Sequence, residues 1–209
     1  APFDRNLGVP GEELVGSHSA TEFVAWYNGH PDFVNHQFDL DQESVAVIGV
    51  GNVAMDVARI LCKTHAELAV TDMADHALEA LKNSKVKNVY ILGRRGPAQA
   101  AFTPPEIKEM GEFEDADVTV LQAEATLDPE SAAVLEAEGD KNAQKNVAYI
   151  EDYATREISG KSRLLTIRFL VSPTELIGED GRVTGIKLVK NKLVKGDDGS
   201  IRPQATDEE

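Results

Sequence analysis

The sequence predicts an α/β fold, in which a parallel sheet with flanking helices is followed, late in the chain, by an antiparallel β-hairpin. A short apolar run bounded by glycine, 44–49, precedes a helical pattern and then a second apolar run, 86–93. Strand, helix and strand in this order are typical of a right-handed parallel crossover whose strands are buried on both faces. Later, 174–177 and 183–189 flank an Asp-Gly pair at 180–181, which is typical of a hairpin turn.

Composition limits the classes to which the protein can belong. With 209 residues, 42% of them apolar, the chain is long enough for one or two domains, and it is neither disordered throughout nor a disulfide scaffold. No apolar run approaches the length of about 18 residues that a membrane-spanning helix needs. The first residues, 1–5, lack the apolar core of a signal peptide. The chain starts without methionine and 205–209 resemble a cut end, so we expect one domain, 1–209, excised from a larger protein.

The chain is strongly acidic, because 21 basic residues minus 36 acidic ones leave a net charge of −15. Non-specific binding of nucleic acid and of anionic membranes depends on basic patches, so we expect neither partner. The net charge says nothing about small-ligand sites, which are local. The lone Cys62 cannot form a disulfide within the chain, which fits a reducing, cytoplasmic location.

The first part of the chain predicts an irregular lead-in and one helix. Glycine and proline recur through 1–17, which favours irregular structure. Ser19 and Glu22 have the spacing of a capping box, and the Gly-His-Pro sequence at 29–31 ends the helix. Its aromatic residues recur at helical spacing and predict packing on a core, with a partner or cofactor contact as the alternative. They are Phe23, Trp26 and Tyr27.

The remaining elements alternate between helices and strands. They are a helix over 64–84 capped by Thr71 or Asp72, a short helix from Thr103 to Met110, an exposed helix over 141–160, strands over 118–121 and 163–171, and a further strand starting near Lys192. Residues 106–140 hold twelve acids and one base, a run that is typical of a solvated face rather than a docking site.

The most specific motif is Gly49-Val50-Gly51-Asn52-Val53-Ala54, a G-x-G-x-x-A sequence at the end of the first strand. Gly49 permits the tight turn, Gly51 lets the backbone approach a pyrophosphate, and the small Ala54 allows the helix to pack closely on the strand. The helix start then presents free N–H groups and a positive dipole end to phosphates. The motif therefore predicts a Rossmann-like fold that binds a dinucleotide.

The end of the second strand decides which dinucleotide is bound. An acid there hydrogen-bonds the ribose of NAD, whereas arginine accommodates the 2′-phosphate of NADP. If 68–72 were the second strand, Asp72 would indicate NAD, although this residue also suits a helix cap. The stronger strand, 86–93, is followed directly by Arg94 and Arg95. Two arginines at such a turn suit a phosphate dianion and favour NADP(H), the alternative being a pair of ordinary surface arginines.

Other reactive side chains give weaker signals. Asp56 lies about one turn into the helix of the motif, where either the helix dipole favours an acid or the carboxylate has a proton or orientation role beside a cofactor. Cys62 on the same helix is expected to be a small buried residue. The five histidines show no metal-ligand spacing, so we expect no metal site. They are His18, His30, His36, His65 and His76.

Four segments of the chain form a combined signature. They are Gly-Val-Gly-Asn-Val-Ala-Met-Asp-Val-Ala-Arg at 49–59, Gly-Arg-Arg-Gly-Pro at 93–97, Phe-Thr-Pro-Pro-Glu at 102–106 and Trp-Tyr-Asn-Gly at 26–29. Together these segments resemble the adrenodoxin-reductase-like family of ferredoxin–NADP(+) reductases, and the resemblance extends to 169–173 and 180–183. It implies two nested dinucleotide-binding domains, one for FAD and one, inserted into it, for NADP(H). This sequence resembles the inserted domain.

The resemblance also implies roles for individual residues. NADP(H) would contact Val50, Gly51, Asn52, Val53 and Glu106, with Arg94 and Arg95 at the 2′-phosphate. Asp56 matches a family aspartate that pairs with a histidine near the flavin, and none of the histidines here replaces that histidine. In the whole enzyme NADPH would reduce FAD, which would pass electrons to a ferredoxin-type iron–sulfur protein. The fragment alone would bind the nucleotide, carry no FAD and catalyse nothing.

Two alternative functions fit the same residues. One is the NADPH-delivering domain of another flavoprotein, such as a glutamate synthase small subunit, and the other is a non-enzymatic nucleotide-sensing module.

The chain also departs from the family in one respect. In adrenodoxin-type members a basic surface on this domain docks an acidic iron–sulfur protein, but here only Lys108 lies near a matching position, among many acids.

Overall fold

The computed structural model describes residues 6–196 and 199–209. The helices are α1 (Ala20–Tyr27), α2 (Asn52–Cys62), α3 (His65–Ala69), α4 (Asp75–Lys82), α5 (Pro104–Met110), α6 (Gln122–Ala125), α7 (Pro129–Glu138) and α8 (Lys141–Thr155), with a short 3-10 helix at Pro97–Gln99. The strands are β1 (Ser44–Ile48), β2 (Asn88–Leu92), β3 (Ala116–Val120), β4 (Arg163–Arg168), β5 (Val171–Glu179), β6 (Arg182–Lys195) and β7 (Ile201–Ala205). The expectations for 1–5 lie outside the described residues, while 6–17 are irregular apart from one bridge at Val15.

The strands form two sheets. β1, β2, β4 and β3, in this spatial order, make a parallel sheet, and β5, β6 and β7 make an antiparallel sheet. The predicted fold class is therefore confirmed, including the parallel pairing of β1 with β2. The hairpin between β5 and β6 turns at Asp180 and Gly181, whose φ angles of 50° and 77° suit a type I′ turn.

Helix α1 forms as its cap and its aromatic residues predict. Ser19 Oγ accepts a hydrogen bond from Glu22 N at 3.2 Å. Phe23 and Trp26 are only 5% and 3% exposed, and their rings lie 5.0 and 5.1 Å from that of Phe38. The aromatic residues therefore pack on a core, as expected.

The prediction of one helix over 64–84 is wrong, because two shorter helices, α3 and α4, occupy this range. Thr64 caps α3 through a reciprocal capping box, which starts the first helix well before the residues proposed as its cap. Neither Thr71 nor Asp72 caps α4, whose N-cap is Ala74. The capping box at Thr64 therefore determines where the first of the two helices begins.

Strand β1 is not buried on both faces, contrary to the prediction from its apolar residues. It lies at the edge of the parallel sheet, beside β2, and α2 packs on one of its faces. Val47 on that face is 6% exposed, whereas Ile48 on the other face is 37% exposed. An apolar run predicts a strand, but the order of strands in the sheet decides how much of it is covered.

The alternating run 163–171 is not a single strand. β4 ends and β5 begins on either side of Leu170, whose φ of 57° lies in the left-handed region and redirects the chain into the second sheet. Phe169 and Val171 are nevertheless 0% and 2% exposed, so the apolar alternation continues through the break. The pattern therefore recorded burial correctly and missed the change of sheet.

Two later expectations also need correction. Lys192 lies inside the long β6, and the next strand, β7, begins at Ile201. Helix α8 is amphipathic rather than exposed, because Val147, Ile150 and Tyr153 are buried. Both errors arose where long elements mix charged and apolar residues.

The acids of 106–140 were expected to lie on a solvated face, and this is wrong for some of them. Glu112 does so, since it pairs with the exposed Lys108 at 2.9 Å. Glu124 is only 12% exposed and binds the guanidinium of Arg168 at 2.7 Å. The acidic run therefore includes internal partners of basic residues.

Cys62 is fully buried on α2, as expected. Burial raises the pKa of its thiol to about 12, so the reactive thiolate is scarce at neutral pH and the side chain acts as a small apolar group. Across 6–196 and 199–209, no helix combines the length and the apolar character needed to cross a membrane.

Candidate functional site

The candidate site lies at the carboxyl edge of the parallel sheet, between the turns that follow β1 and β2. Ile48 is paired with Leu92, so both strands end at the same level. Gly49 N donates to Leu92 O at 2.9 Å. A Cβ on Gly93 would lie 2.6 Å from Val50 Cγ1, so the second turn packs this closely on the first only because it carries glycine.

The glycine turn leaves space in front of α2. Gly49 has a φ of 120°, which favours glycine. Gly51 is the N-cap of α2 and supplies no side-chain hydrogen bond, and a Cβ there would meet nothing within 4 Å. Ala54 is 6% exposed and packs into the core, while Val53 is 47% exposed. The start of α2 thus presents N–H donors and a positive dipole end to open space.

Arg94 and Arg95 follow β2 directly and lie at the same edge as the glycine turn. Among the residues that the structure describes, no carboxylate forms an ion pair with either guanidinium. Four other arginines are paired with carboxylates: Arg59, Arg156, Arg168 and Arg182. The alternative second strand does not form, because Leu68 belongs to α3, and Asp72 therefore does not stand at a strand end.

Asn52 and Glu106 connect α2 to α5 beside the glycine turn. With its side-chain amide turned so that the nitrogen faces these two acceptors, Asn52 Nδ2 donates to Ala101 O at 3.2 Å and to Glu106 Oε2 at 2.9 Å. The same carboxylate oxygen accepts hydrogen bonds from Thr103 N and Oγ1 at 2.7 and 2.8 Å. Within the described part of the chain, Glu106 Oε1 has no hydrogen-bond partner, so one acceptor remains available.

Asp56 belongs to a cluster of charges on α2 and α5. It pairs with Arg59, whose Nε also donates to Glu109 Oε2 at 2.8 Å. Lys63 donates to Glu109 Oε1 at 2.9 Å. Asp56 lies beyond the first turn of α2, so the ion pair rather than the helix dipole is its main stabilising contact.

Burial and charge act in opposite directions in this cluster. Burial disfavours the ionised form of Glu109, but the hydrogen bond from Lys63 and the nearby cations outweigh it and lower the pKa of Glu109. Burial likewise opposes the charge of Arg59, whose pKa is raised by its hydrogen bond to Asp56 and by Glu109. Burial, and then the charge of Asp56, raise the pKa of Tyr27. The cluster thus joins two acidic side chains, Asp56 and Glu109, to two basic ones, Arg59 and Lys63.

Sequence reasoning found Asp56 but missed the residues that hold it. Arg59 follows Asp56 by three residues on a helix, a spacing that brings the two side chains together, so the sequence contained this signal. Glu109 lies 50 residues from Arg59 and comes from another helix. Only the packing of α5 on α2 places it in the cluster.

The surroundings of two histidines, His76 and His18, are defined by their contacts in the fold. Within the described residues, no group of three or more His, Cys, Asp or Glu side chains is arranged to hold a metal ion. His76 Nε2 lies 3.0 Å from Trp26 O. Burial lowers the pKa of His18 despite the nearby charge of Asp39.

A strand, a glycine turn and a helix, followed by a neighbouring parallel strand that ends in two arginines, define a Rossmann-type α/β unit. No protein-family model matches the chain. Over 208 residues it is 43% identical to NADPH-ferredoxin reductase FprA of Mycobacterium leprae, covering 99% of this chain and 44% of that protein. Over 202 residues it is 39% identical to the mitochondrial NADPH:adrenodoxin oxidoreductase of Arabidopsis thaliana, covering 92% of this chain and 41% of that protein.

The fold agrees with these similarities in sequence. A solved structure of Mycobacterium tuberculosis FprA in complex with NADPH matches with a TM-score of 0.92 at 43% identity, covering 100% of this chain and 45% of that one. Over nearly all of its length the chain is thus similar to NADPH-dependent ferredoxin and adrenodoxin reductases, in agreement with the family that its motifs resemble. It spans less than half the length of the curated relatives that it matches.

Proposed function

We propose that the chain, 1–209, is the NADP(H)-binding domain of a larger FAD-dependent ferredoxin–NADP(+) reductase. The observation that carries this proposal is the pair Arg94 and Arg95, unpaired among the described residues, at the same sheet edge as an open glycine turn. In a chain of net charge −15, two such guanidinium groups suit a phosphate dianion. The relatives are named as NADPH-dependent reductases, and the similar structure contains NADPH.

The described residues fit this nucleotide. Its pyrophosphate would lie against the backbone N–H groups of 50–53, where Gly51 leaves open space. Arg94 and Arg95 would hold the 2′-phosphate. Glu106, joined to Asn52 at 2.9 Å, would offer its free carboxylate oxygen to a donor of the nucleotide.

The chemistry of such a reductase, hydride transfer from NADPH to the flavin and electron transfer to an iron–sulfur protein, belongs to the cofactors. This chain would bind and orient NADP(H). It contains one glycine fingerprint, which suits the nicotinamide nucleotide, so FAD would be bound by another part of the protein. Asp56, whose side chain is 36% exposed, would orient a group or hold a proton at its carboxylate beside the flavin.

The proposal extends to partner and location. The electron acceptor of the whole protein would be a ferredoxin-type iron–sulfur protein, and we expect so acidic a chain to have no nucleic-acid partner. A cytoplasmic location is supported by the lone buried Cys62 and by the bacterial relative, whereas the Arabidopsis relative is mitochondrial. Fractionation of cells that express the tagged native protein would test the location.

Titration of the chain with nucleotides tests the proposed function. We expect NADPH to bind at least roughly 10-fold more tightly than NADH, because a hydrogen bond to a charged group contributes about 1.5–3 kcal/mol. Isothermal calorimetry on the purified chain measures both dissociation constants. Equal affinities, or no binding of either nucleotide, would remove the basis of the proposal.

The proposed role of Asp56 must be tested in the whole reductase. Asp56→Asn keeps the shape of the side chain but removes its charge, so we expect NADPH affinity to change little and turnover to fall about 100-fold or more if the carboxylate handles a proton. Steady-state reduction of an iron–sulfur protein measures turnover. Glu112→Gln, which changes an exposed acid just beyond the end of α5, is the matched control and should leave turnover unchanged. Wild-type turnover of Asp56→Asn across pH would leave Asp56 as only the partner of Arg59.

A further inference from the structure

The arginine turn is held from behind by the chain that joins the two sheets. Val171 N donates to Gly93 O at 3.0 Å, and Leu170 N donates to Arg95 O at 3.2 Å. The carbonyl between them, that of Arg94, accepts a hydrogen bond from the side chain of Asn191 at 2.9 Å. Three successive carbonyls of the turn are thus fixed by residues that lie far from it in sequence.

Asn191 is built into a rigid place. It lies on β6, the central strand of the antiparallel sheet, and is 8% exposed. Its backbone N donates to Leu170 O at 2.7 Å. Its side-chain Nδ2 donates to Ser172 Oγ at 2.8 Å as well as to Arg94 O. Since a side-chain amide has two N–H donors, both are used here, and the amide cannot rotate without breaking a hydrogen bond.

This contact matters because of what it orients. The peptide group that joins Arg94 to Arg95 contains the carbonyl that Asn191 holds, so fixing it sets the directions in which both side chains leave the backbone. An arginine hydrogen-bonds a phosphate through a planar fork of donors, which makes the contact sensitive to direction. Groups that bind well are held by supporting residues whose own positions are fixed.

We propose that Asn191 is a positioning residue that sets the preference for NADP(H) over NAD(H), by fixing the peptide between Arg94 and Arg95 without touching the nucleotide. The inference rests on the proposed function, since it concerns the same phosphate site. Arg94 and Arg95 follow a strand of the parallel sheet, whereas Asn191 belongs to the antiparallel sheet and lies 97 positions from Arg94 in sequence. The proposal thus adds a residue of the second sheet to those that determine the preference.

The test compares Asn191→Ala with Asn146→Ala. Asn146 is the matched control, because it is 2% exposed and its Nδ2 also donates to a backbone carbonyl, that of Phe102, at 2.7 Å. Calorimetry measures binding of NADPH, NADH and adenosine 2′,5′-bisphosphate, which carries the 2′-phosphate without nicotinamide. Thermal unfolding of each variant is measured in parallel.

We expect Asn191→Ala to weaken binding of NADPH and of the bisphosphate about 5-fold, the effect of one lost hydrogen bond, with NADH nearly unchanged. Asn146→Ala should lower the unfolding temperature but keep the NADPH to NADH ratio of the wild type. If Asn191→Ala does not fold, Asn191→Gln, whose longer side chain displaces the same donor, is judged by the same ratio.

Each outcome decides a separate question. A wild type without preference for NADPH contradicts the proposed function itself. A wild type that prefers NADPH, with a folded Asn191 variant of unchanged ratio, overturns only the positioning role. An equal change of the ratio in Asn146→Ala would also overturn it, because it would reduce the effect to general loosening of the fold.

Discussion

Alanine in place of Arg94 or Arg95 should weaken NADPH binding roughly 10- to 150-fold and leave NADH binding nearly unchanged. The 2′-phosphate carries close to two negative charges, and a chain of net charge −15 offers it no general attraction. Local donors must therefore hold it, and each charged hydrogen bond contributes about 1.5–3 kcal/mol. NADH lacks this phosphate, so its binding does not depend on the arginines.

The control for this experiment must remove the same charge elsewhere. Arg156→Ala does so at the C-cap of α8, where the guanidinium is paired with Asp152 at 2.6 Å. Calorimetric titration of the wild type and the three variants should show a selective loss of NADPH affinity at Arg94 and Arg95 only. Equal losses for both nucleotides would mean that the arginines hold the turn together rather than bind the phosphate.

Glu124→Ala should lower the free energy of unfolding by about 3 kcal/mol, the low end for breaking a buried ion pair because Arg168 is 25% exposed. Glu124 accepts hydrogen bonds from Arg168 Nε and from Phe169 N, each at 2.9 Å. Its removal leaves a half-buried cation and a backbone N–H without this partner, where the chain passes from β4 towards β5.

Urea unfolding followed by the fluorescence of the single Trp26 measures the change. Glu112→Ala serves as the comparison, because it breaks an exposed pair at the end of α5 and should leave the midpoint almost unchanged. A Glu124 variant as stable as the wild type would show that the Arg168 guanidinium, once unpaired, is hydrated without loss of stability.

Features coded by neighbouring residues could be predicted from the sequence. The turn at Gly49 and the Asp180-Gly181 hairpin depend on backbone conformations that few residue types adopt, and Arg94 and Arg95 directly follow the residues of β2. Each of them appears in the structure where the sequence places it. Each of these features depends on neighbouring residues alone, so a single sequence is enough to predict it.

Features that depend on the order of packing could not be predicted. The left-handed Leu170 interrupts an apolar alternation that continues on both sides, and nothing in its side chain announces the turn. Ile48 is exposed because β1 is an edge strand, which no residue of β1 reveals. Glu109 and Asn191 reach the site from other elements, and their partners follow only from the fold.

The fixing of 93–95 by the antiparallel sheet bears on how coenzyme preference can be moved between proteins. An engineer who grafts only Arg94 and Arg95 into an NAD-dependent relative would transfer the charges without the backbone that aims them. The smallest portable unit includes the sheet junction at 170–171 and Asn191, because these residues hold the carbonyls of the turn at 2.9 to 3.2 Å. If these residues act as proposed, coenzyme choice in this chain depends on both sheets, and libraries for changing it should vary both.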